Sequence, residues 1–471
     1  MEQALRQAQC KRISVRGRFF RTDSFVKDAR GNPVSTRSSA ALAHAETALW
    51  RMASFFDAPL ADLDAASAED PSWCLPHLMR ASFLLTLTEP SLMTEARLAL
   101  SKAQASMRHA TARERMHLAA TTACANGQWR SACAQWQGIL DLHQRDLFAL
   151  QCAHLFDFYV GDASALQSRP AQALQQLAAT DALRPYVLGM HAFGLEENSF
   201  YDHAEAVGRE AVATPAKVPW ATHAVAHVME MQGRFDDGLH WLREHEPIWA
   251  EGNGFANHHW WHAALFHLEA LEIPAALALY DQHLSSAHAN VTLNRLDGTA
   301  LLWRVHLLGA DVGARWLDVA QGWDLSPAPA GLSAFNEAHA VMVLLGQQRF
   351  GDAAALVAEV QRRALAGSVT ETADVREVGL PLLRGLLAFG RDDFAEMLRL
   401  VWPVRQQLHR LGGSHAQRDA LNQTLLVAAL QCRNEDVSGR LLRQRQEKQN
   451  TPLSQHWRGL LPGHAGTAAR I

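Results

Sequence analysis

One local mark recurs along this chain and constrains its fold more than any other feature. An aromatic or large apolar residue follows a turn, and a small residue follows three positions later. The clearest cases are Gly127-Gln128-Trp129 with Ala132, Tyr201 with Ala204, Gly233-Arg234-Phe235 with Gly238, Ile273 with Ala276, and Phe350 with Ala353. Weaker ones are Met93 with Ala96, Ser168 with Ala171, Asp311 with Ala314, and Asp392 with Ala395. Successive marks lie 33 to 42 residues apart, and Tyr201 and Phe235 are separated by 34. That is the period of two-helix repeats, with about 34 the tetratricopeptide value. The small residue lets two helices approach, and the aromatic plugs the turn between them.

A repeat array extends its core along one axis, so 471 residues need not divide into several globules. The expected fold is all-α: a tetratricopeptide-like helical-hairpin solenoid of about nine two-helix repeats in one superhelix. Residues 1–38 are expected to form an N-terminal arm or cap, 39–433 the solenoid, and 434–471 a C-terminal tail broken by Pro452, Pro462, Gly463 and Gly466. Ser326-Pro327-Ala328-Pro329 marks a longer loop, because two prolines forbid a continued helix there.

Composition agrees with helices and excludes several functions. Ala and Leu dominate and β-branched runs are scarce. A net charge of −4 provides no basic field for nucleic acid or an anionic membrane. None of the six cysteines forms a C-x-x-C pair, so they read as core residues in a reducing compartment. No apolar run reaches the roughly 18 residues of a membrane helix. Met1 to Arg21 lacks an apolar signal region, and a cytoplasmic protein is expected. Glycine-rich nucleotide loops and the Gly-x-Ser-x-Gly elbow are absent, so no nucleotide cofactor is indicated.

Histidine supplies the candidate chemistry. When the mark is numbered as position 17 of each unit, positions 2, 5, 9, 12 and 13 of the first helix face the groove in this repeat class. His223, His227 and Glu230 then take positions 5, 9 and 12; in the next unit His258, His262 and Glu269 take 2, 6 and 13. The histidines within each pair are four apart and share a helix face. Adjacent helices pack about 8–10 Å apart, so imidazoles from both can meet. His223, His227 and His262, with His258 or Glu230, are candidate metal ligands. Two histidines and a carboxylate would suit iron; three histidines would suit zinc or copper.

Glu230 is alternatively a general base, and Glu196 or Glu197 would orient a ligand imidazole. Glu197 and His339 join Glu230 as candidate catalytic groups, with His339 reaching the site only if the superhelix closes tightly. His191, Trp261, Trp303 and Asn336 are candidate substrate contacts. The competing reading is that each such histidine or tryptophan is a packed core residue. Ala224 follows His223 where a zincin would need Glu, which excludes that chemistry. Gly412-Gly413-Ser414-His415-Ala416-Gln417-Arg418 reads as a turn and a capping box. His415 and Arg418 then lie at a helix N-terminus, where an acidic group of a substrate would be favoured.

Several of these segments resemble the bacterial branch of the tetratricopeptide repeat protein 38 family, also called StaR-like. They are Leu150 to His154, Gly189 to Glu197, His223 to Arg234, Asn257 to His262, Phe335 to His339 and Gly412 to Asp419. The similarity runs from about Asp23 to about Cys432. It implies an all-helical repeat protein, with relatives in antibiotic gene clusters for which a tailoring oxidation has been suggested.

Two functions follow from the sequence. The first is an enzyme acting on a small molecule or carrier-bound metabolite, using iron, copper or zinc, with oxidative tailoring favoured over hydrolysis. The second is a non-catalytic scaffold whose groove binds a peptide or protein partner. Peptide-binding grooves of this type favour Lys and Arg where this chain has His, Glu and Trp.

Overall fold

A computed structural model describes residues 25–448 and 450–461. These residues are helical nearly throughout; the sheet among them is a single antiparallel hairpin, Val26–Lys27 with Pro33–Val34. Each clear mark is the first residue of a helix: Trp129–Leu142, Tyr201–Val212, Phe235–Glu244, Ile273–Leu279 and Phe350–Leu365. The small partners Ala132, Ala204, Gly238, Ala276 and Ala353 are buried. At Gly238 a Cβ would stand 2.5 Å from the Phe266 ring, which explains why nothing larger sits there. Before each of these helices the chain turns through a left-handed residue: Gly127, Ser199, Gly233, Leu271 or Gln348. Such a residue closes the preceding helix. The Ser168 mark is displaced. The helix Ala163–Gln176 has already begun there, because the Asp162 side chain accepts the Ala165 N–H at 2.9 Å and caps it.

The first helices of successive pairs stack in order. Arg184–Glu197 packs on Pro219–Met231, followed by Ala256–Glu269, Thr292–Leu307, Ala334–Gly346 and Leu380–Phe389, each against the next. Every residue of Pro219–Met231 is buried. A helix enclosed on all sides normally carries apolar residues throughout. This one carries His223, His227 and Glu230, so its polar groups lie inside the molecule.

The stack curves until early and late segments meet. The Glu89 carboxylate accepts from the Thr292 amide and hydroxyl at 3.0 and 2.8 Å and also pairs with Arg295. Arg130 reaches Asp374 at 2.8 Å, and the Gly127 carbonyl accepts the Glu371 N–H at 3.0 Å. The helix His415–Gln431 then packs against Thr292–Leu307 and Pro219–Met231, returning the chain to the histidine helices.

Both flanks are tied down where they are described. Arg30 pairs with Glu46 and Asp181, and Ser35 donates to Glu114, which fastens 25–38 to the first helices. Residues 434–461 form the helices Glu435–Lys448 and Pro452–Gly459. Pro452 opens a helix instead of breaking one, since the first turn needs no N–H there and Thr451 accepts the Ser454 N–H at 3.1 Å. Arg445 holds Glu269 and Asp419, and Thr451 donates to Glu269 at 2.6 Å. Pro462, Gly463, Gly466, Cys10 and the rest of 1–24 lie outside the described residues. Cys74, Cys124, Cys133 and Cys152 are buried as free thiols. Among the described residues, no helix is long and apolar enough to cross a membrane.

Candidate metal centre

Two buried helices bring four histidines to one point. His223 and His227 come from Pro219–Met231, and His258 and His262 from Ala256–Glu269. Ring centroids are 4.3 Å apart for His223–His227, 4.5 Å for His227–His262, 4.8 Å for His258–His262 and 4.9 Å for His223–His258. One nitrogen from each ring lies within 4.8 Å of one from every other. All four residues are buried.

Three of the rings are backed by a carboxylate, each through Nδ1. His262 Nδ1 is 2.8 Å from Glu230 Oε2, and His258 Nδ1 is 2.9 Å from Asp297 Oδ2. His227 Nδ1 stands 3.4 Å from Glu196 Oε2. A carboxylate on Nδ1 fixes the ring and leaves Nε2 to offer its lone pair, the usual second layer of a histidine metal site. Nε2 of His262, both nitrogens of His223 and both of His227 are buried without hydrogen-bond partners, the His227–Glu196 approach being an ion-pair distance only. Leaving a buried polar atom unpaired costs about 1–3 kcal/mol. Several such atoms facing one another form a set that a cation would satisfy together.

The electrostatics favour a free lone pair on two of the rings and a proton on a third. Burial, reinforced by the neighbouring imidazoles, holds His223 and His262 well below the ordinary histidine value. Burial opposes the charge on His227 as well, but Glu196 outweighs it and raises that pKa. Glu196 is pushed down to about 2, since His227 overcomes the burial of the carboxylate. Burial pushes Glu230 up to about 8, against the pull of His227 and Arg304. Around the cluster Trp261 stacks on His258 at 5.0 Å, and the Arg304 guanidinium lies over the Trp261 ring at 5.4 Å.

A cavity of about 560 Å³ opens on one side of the cluster, with His223 and His258 in its wall. Its other walls are mostly aromatic and aliphatic, including Phe83, Leu155, Phe158, Phe193, Trp220 and Phe255. On the other side, a polar basin of about 390 Å³ is lined by Glu230, Arg405, His415, Arg418, Asp419 and Arg445 among others.

The remaining candidate residues lie elsewhere or have other partners. Glu197 forms a second group with Glu196 and His227, whose potential ligand atoms lie within 4.8 Å of one another; it also accepts the His415 N–H at 2.8 Å and pairs with Arg418 at 3.2 Å. The anion at that helix N-terminus is therefore supplied by the chain itself. The Ser414–Gln417 capping box is present. His339 is turned to its own helix, Nδ1 2.8 Å from the Phe335 carbonyl. Trp261 is wholly buried behind His258 and is not on the cavity wall. Trp303 is core as well, its indole N–H donating to Thr424 Oγ1 at 2.9 Å. Asn336 donates to Thr88 Oγ1 at 3.1 Å and lines a separate cavity of about 370 Å³. His191 is half-buried and faces the Gln167 carbonyl at 3.2 Å.

Asp297 is the member of this cluster that the sequence does not single out. Its signal is a lone carboxylate in the helix Thr292–Leu307, most of whose residues are buried. Such a group needs a partner. No protein-family model and no solved structure matches the chain.

Proposed function

We propose that the protein is a metal-dependent enzyme of tetratricopeptide-like, StaR-like architecture. His223, His227, His258 and His262 hold one iron, copper or zinc ion; with iron or copper the reaction is oxidation of a small molecule, which redox-inactive zinc would not support. The observation carrying this reading is the four-imidazole cluster with a separate carboxylate behind three of its rings. Imidazole suits zinc, copper and iron, and the carboxylates of Glu196 and Asp297 offset a charge that neutral ligands leave undiminished. A six-coordinate ion would keep two positions free beyond four histidines. The cavity beside His223 and His258 is where substrate and oxidant would reach them. Bound iron or copper would supply electron transfer to dioxygen. The chain's own groups fix the imidazoles, exclude water from the apolar side and hold the substrate. A pocket that excludes water favours oxidation over hydrolysis.

The scaffold reading has less support. The inner side of the stack, where a peptide would lie, is taken by the chain's own helix His415–Gln431 against Pro219–Met231 and Thr292–Leu307.

The test is elemental analysis of protein purified without a His-tag, alongside His223→Ala and His262→Ala. Near-stoichiometric iron, copper or zinc is expected, and its loss in both variants. Unchanged metal content in the variants, or no uptake of any of the three ions by chelator-stripped protein, would overturn the reading.

A further inference from the structure

The cavity at the histidine cluster has a chemistry of its own. Its volume, about 560 Å³, falls in the range of about 300–1,000 Å³ typical of small-molecule sites. Its wall is deliberate construction. Phe55 ends the helix Ser39–Ser54 in the left-handed region, at φ 62. That is a strained position for a bulky residue. The strain is held by a strap across the chain: the Phe55 carbonyl accepts the Gly254 N–H at 2.8 Å, and the Asn253 amide donates to the Ser54 carbonyl at 3.0 Å. The strap sets Phe55 beside Phe255 and Trp220, with ring centroids 5.3 and 5.4 Å away. Three rings from segments about 200 residues apart in sequence thus make one aromatic wall next to His223 and His258.

The polar groups in this wall are equally selective. Arg51 at the mouth is neutralised by Asp57 and Asp62. Glu95, also at the mouth, is neutralised by Arg80. Asp297 spends one oxygen on His258. An anionic ligand would find no spare cation here. The Trp220 indole N–H in this wall is a buried donor without a partner, and outside the histidine cluster two buried acceptors also lack one, Asp297 Oδ1 and Gln151 Oε1. Both residues line the cavity, and an unpaired acceptor asks for a donor.

We propose that this cavity binds a neutral molecule with an aromatic body and a hydroxyl or N–H donor, a phenol or aromatic alcohol being the simplest class. The binding site stands on the cavity alone; only the word substrate rests on the metal reading. Recognition comes from the aromatic wall, and the donor is drawn to Asp297, next to His258. This places the donor-bearing carbon end of the ligand, and not its apolar end, against the metal centre.

The experiment uses the full-length protein with its metal content measured on the same sample. The neutral fluorophore N-phenyl-1-naphthylamine is titrated in, then displaced by biphenyl, 4-phenylphenol and biphenyl-4-carboxylate. Enhanced probe fluorescence is expected, with 4-phenylphenol displacing it about fivefold or more tightly than biphenyl and the carboxylate weakest. Leu155→Trp and Leu87→Trp, which fill the cavity from different walls, should lose the probe while keeping their helical circular dichroism and metal. Absence of probe binding to the wild type, retention of binding in both filled variants, equal affinity of biphenyl and the phenol, or tightest binding of the carboxylate would each overturn the proposal. Probe binding to protein that takes up no metal would sink the metal reading and leave the binding site standing. Stoichiometric metal without probe binding would do the reverse.

Discussion

Asp297→Asn is the sharpest probe of the metal centre, because it changes a charge and almost no volume. Asp297 Oδ2 lies 2.9 Å from His258 Nδ1. Across the ring and a metal–nitrogen bond of about 2.0–2.1 Å, the carboxylate would stand roughly 7 Å from a bound ion. A unit negative charge and a divalent cation at that distance attract by about 5 kcal/mol at an effective dielectric of 20. That figure is a ceiling, since Asn retains an oxygen to accept from the ring. Substitutions of such carboxylates cost about 10–100-fold in metal affinity, equivalent to about 1.4–2.8 kcal/mol. Competition with a chromophoric chelator for zinc or cobalt(II) should show that loss. Glu337→Gln is the control. Glu337 is similarly buried, but it accepts the Gly331 N–H in a different part of the fold, and its loss should leave affinity within about twofold. Equal affinity of wild type and Asp297→Asn, or an equal drop in both variants, would refute the assignment of Asp297 to His258 and a metal.

Other consequences are separable from the metal. Gly238→Ala puts a methyl 2.5 Å from the Phe266 ring and should cost about 1–3 kcal/mol of stability, read from the urea midpoint; a neutral result would show that the helix pair can yield there. Arg445→Ala leaves Glu269 and Asp419 without their buried cation and should cost about 3 kcal/mol, with earlier proteolysis of the C-terminal helices. The metal-free protein should weaken in acid. Burial pushes His339 down to about 4, so below pH 6.5 the unfolded chain takes up a proton that the folded chain refuses. The stabilisation is complete above about 6.5, and roughly 3 kcal/mol of it is lost as pH falls to about 4. Urea midpoints of wild type and His339→Leu between pH 7.5 and 4.5 measure it, and identical slopes would contradict it.

What could be read from the sequence follows a physical divide. Contacts within one helix or between neighbouring helices leave periodic traces. Trp129, Tyr201, Phe235, Ile273 and Phe350 each begin a helix, and His223, His227, His258 and His262 meet because i, i+4 pairs on adjacent helices must. Contacts made by curvature leave none. Glu197 is claimed by His415 and Arg418 more than 200 positions away. Asp297 reaches His258 from the neighbouring helix, and its trace is only a lone carboxylate among buried residues. Glu196 and Glu197 are adjacent in sequence and both lie near His227, but Glu196 makes the ion pair with it, 3.4 Å from Nδ1, while Glu197 takes Arg418; the helical rotation of about 100° between neighbours separates their fates. Trp303, Asn336 and His339 fit the groove register but fall on helices beyond the two that hold the cluster, and each finds a nearby partner instead.

The meeting of early and late segments has an evolutionary corollary. Helical arrays commonly change length by gaining or losing a pair of helices, because each pair touches only its neighbours. Here Arg130 grips Asp374, and Glu89 grips Thr292 and Arg295. Inserting or deleting one pair between them would slide each hook past its eye by a full helix pair and unfasten the ring. The number of pairs is thereby locked, as the number of staves is locked in a hooped barrel. Variation should accumulate on the outer helices and loops, and not in the count.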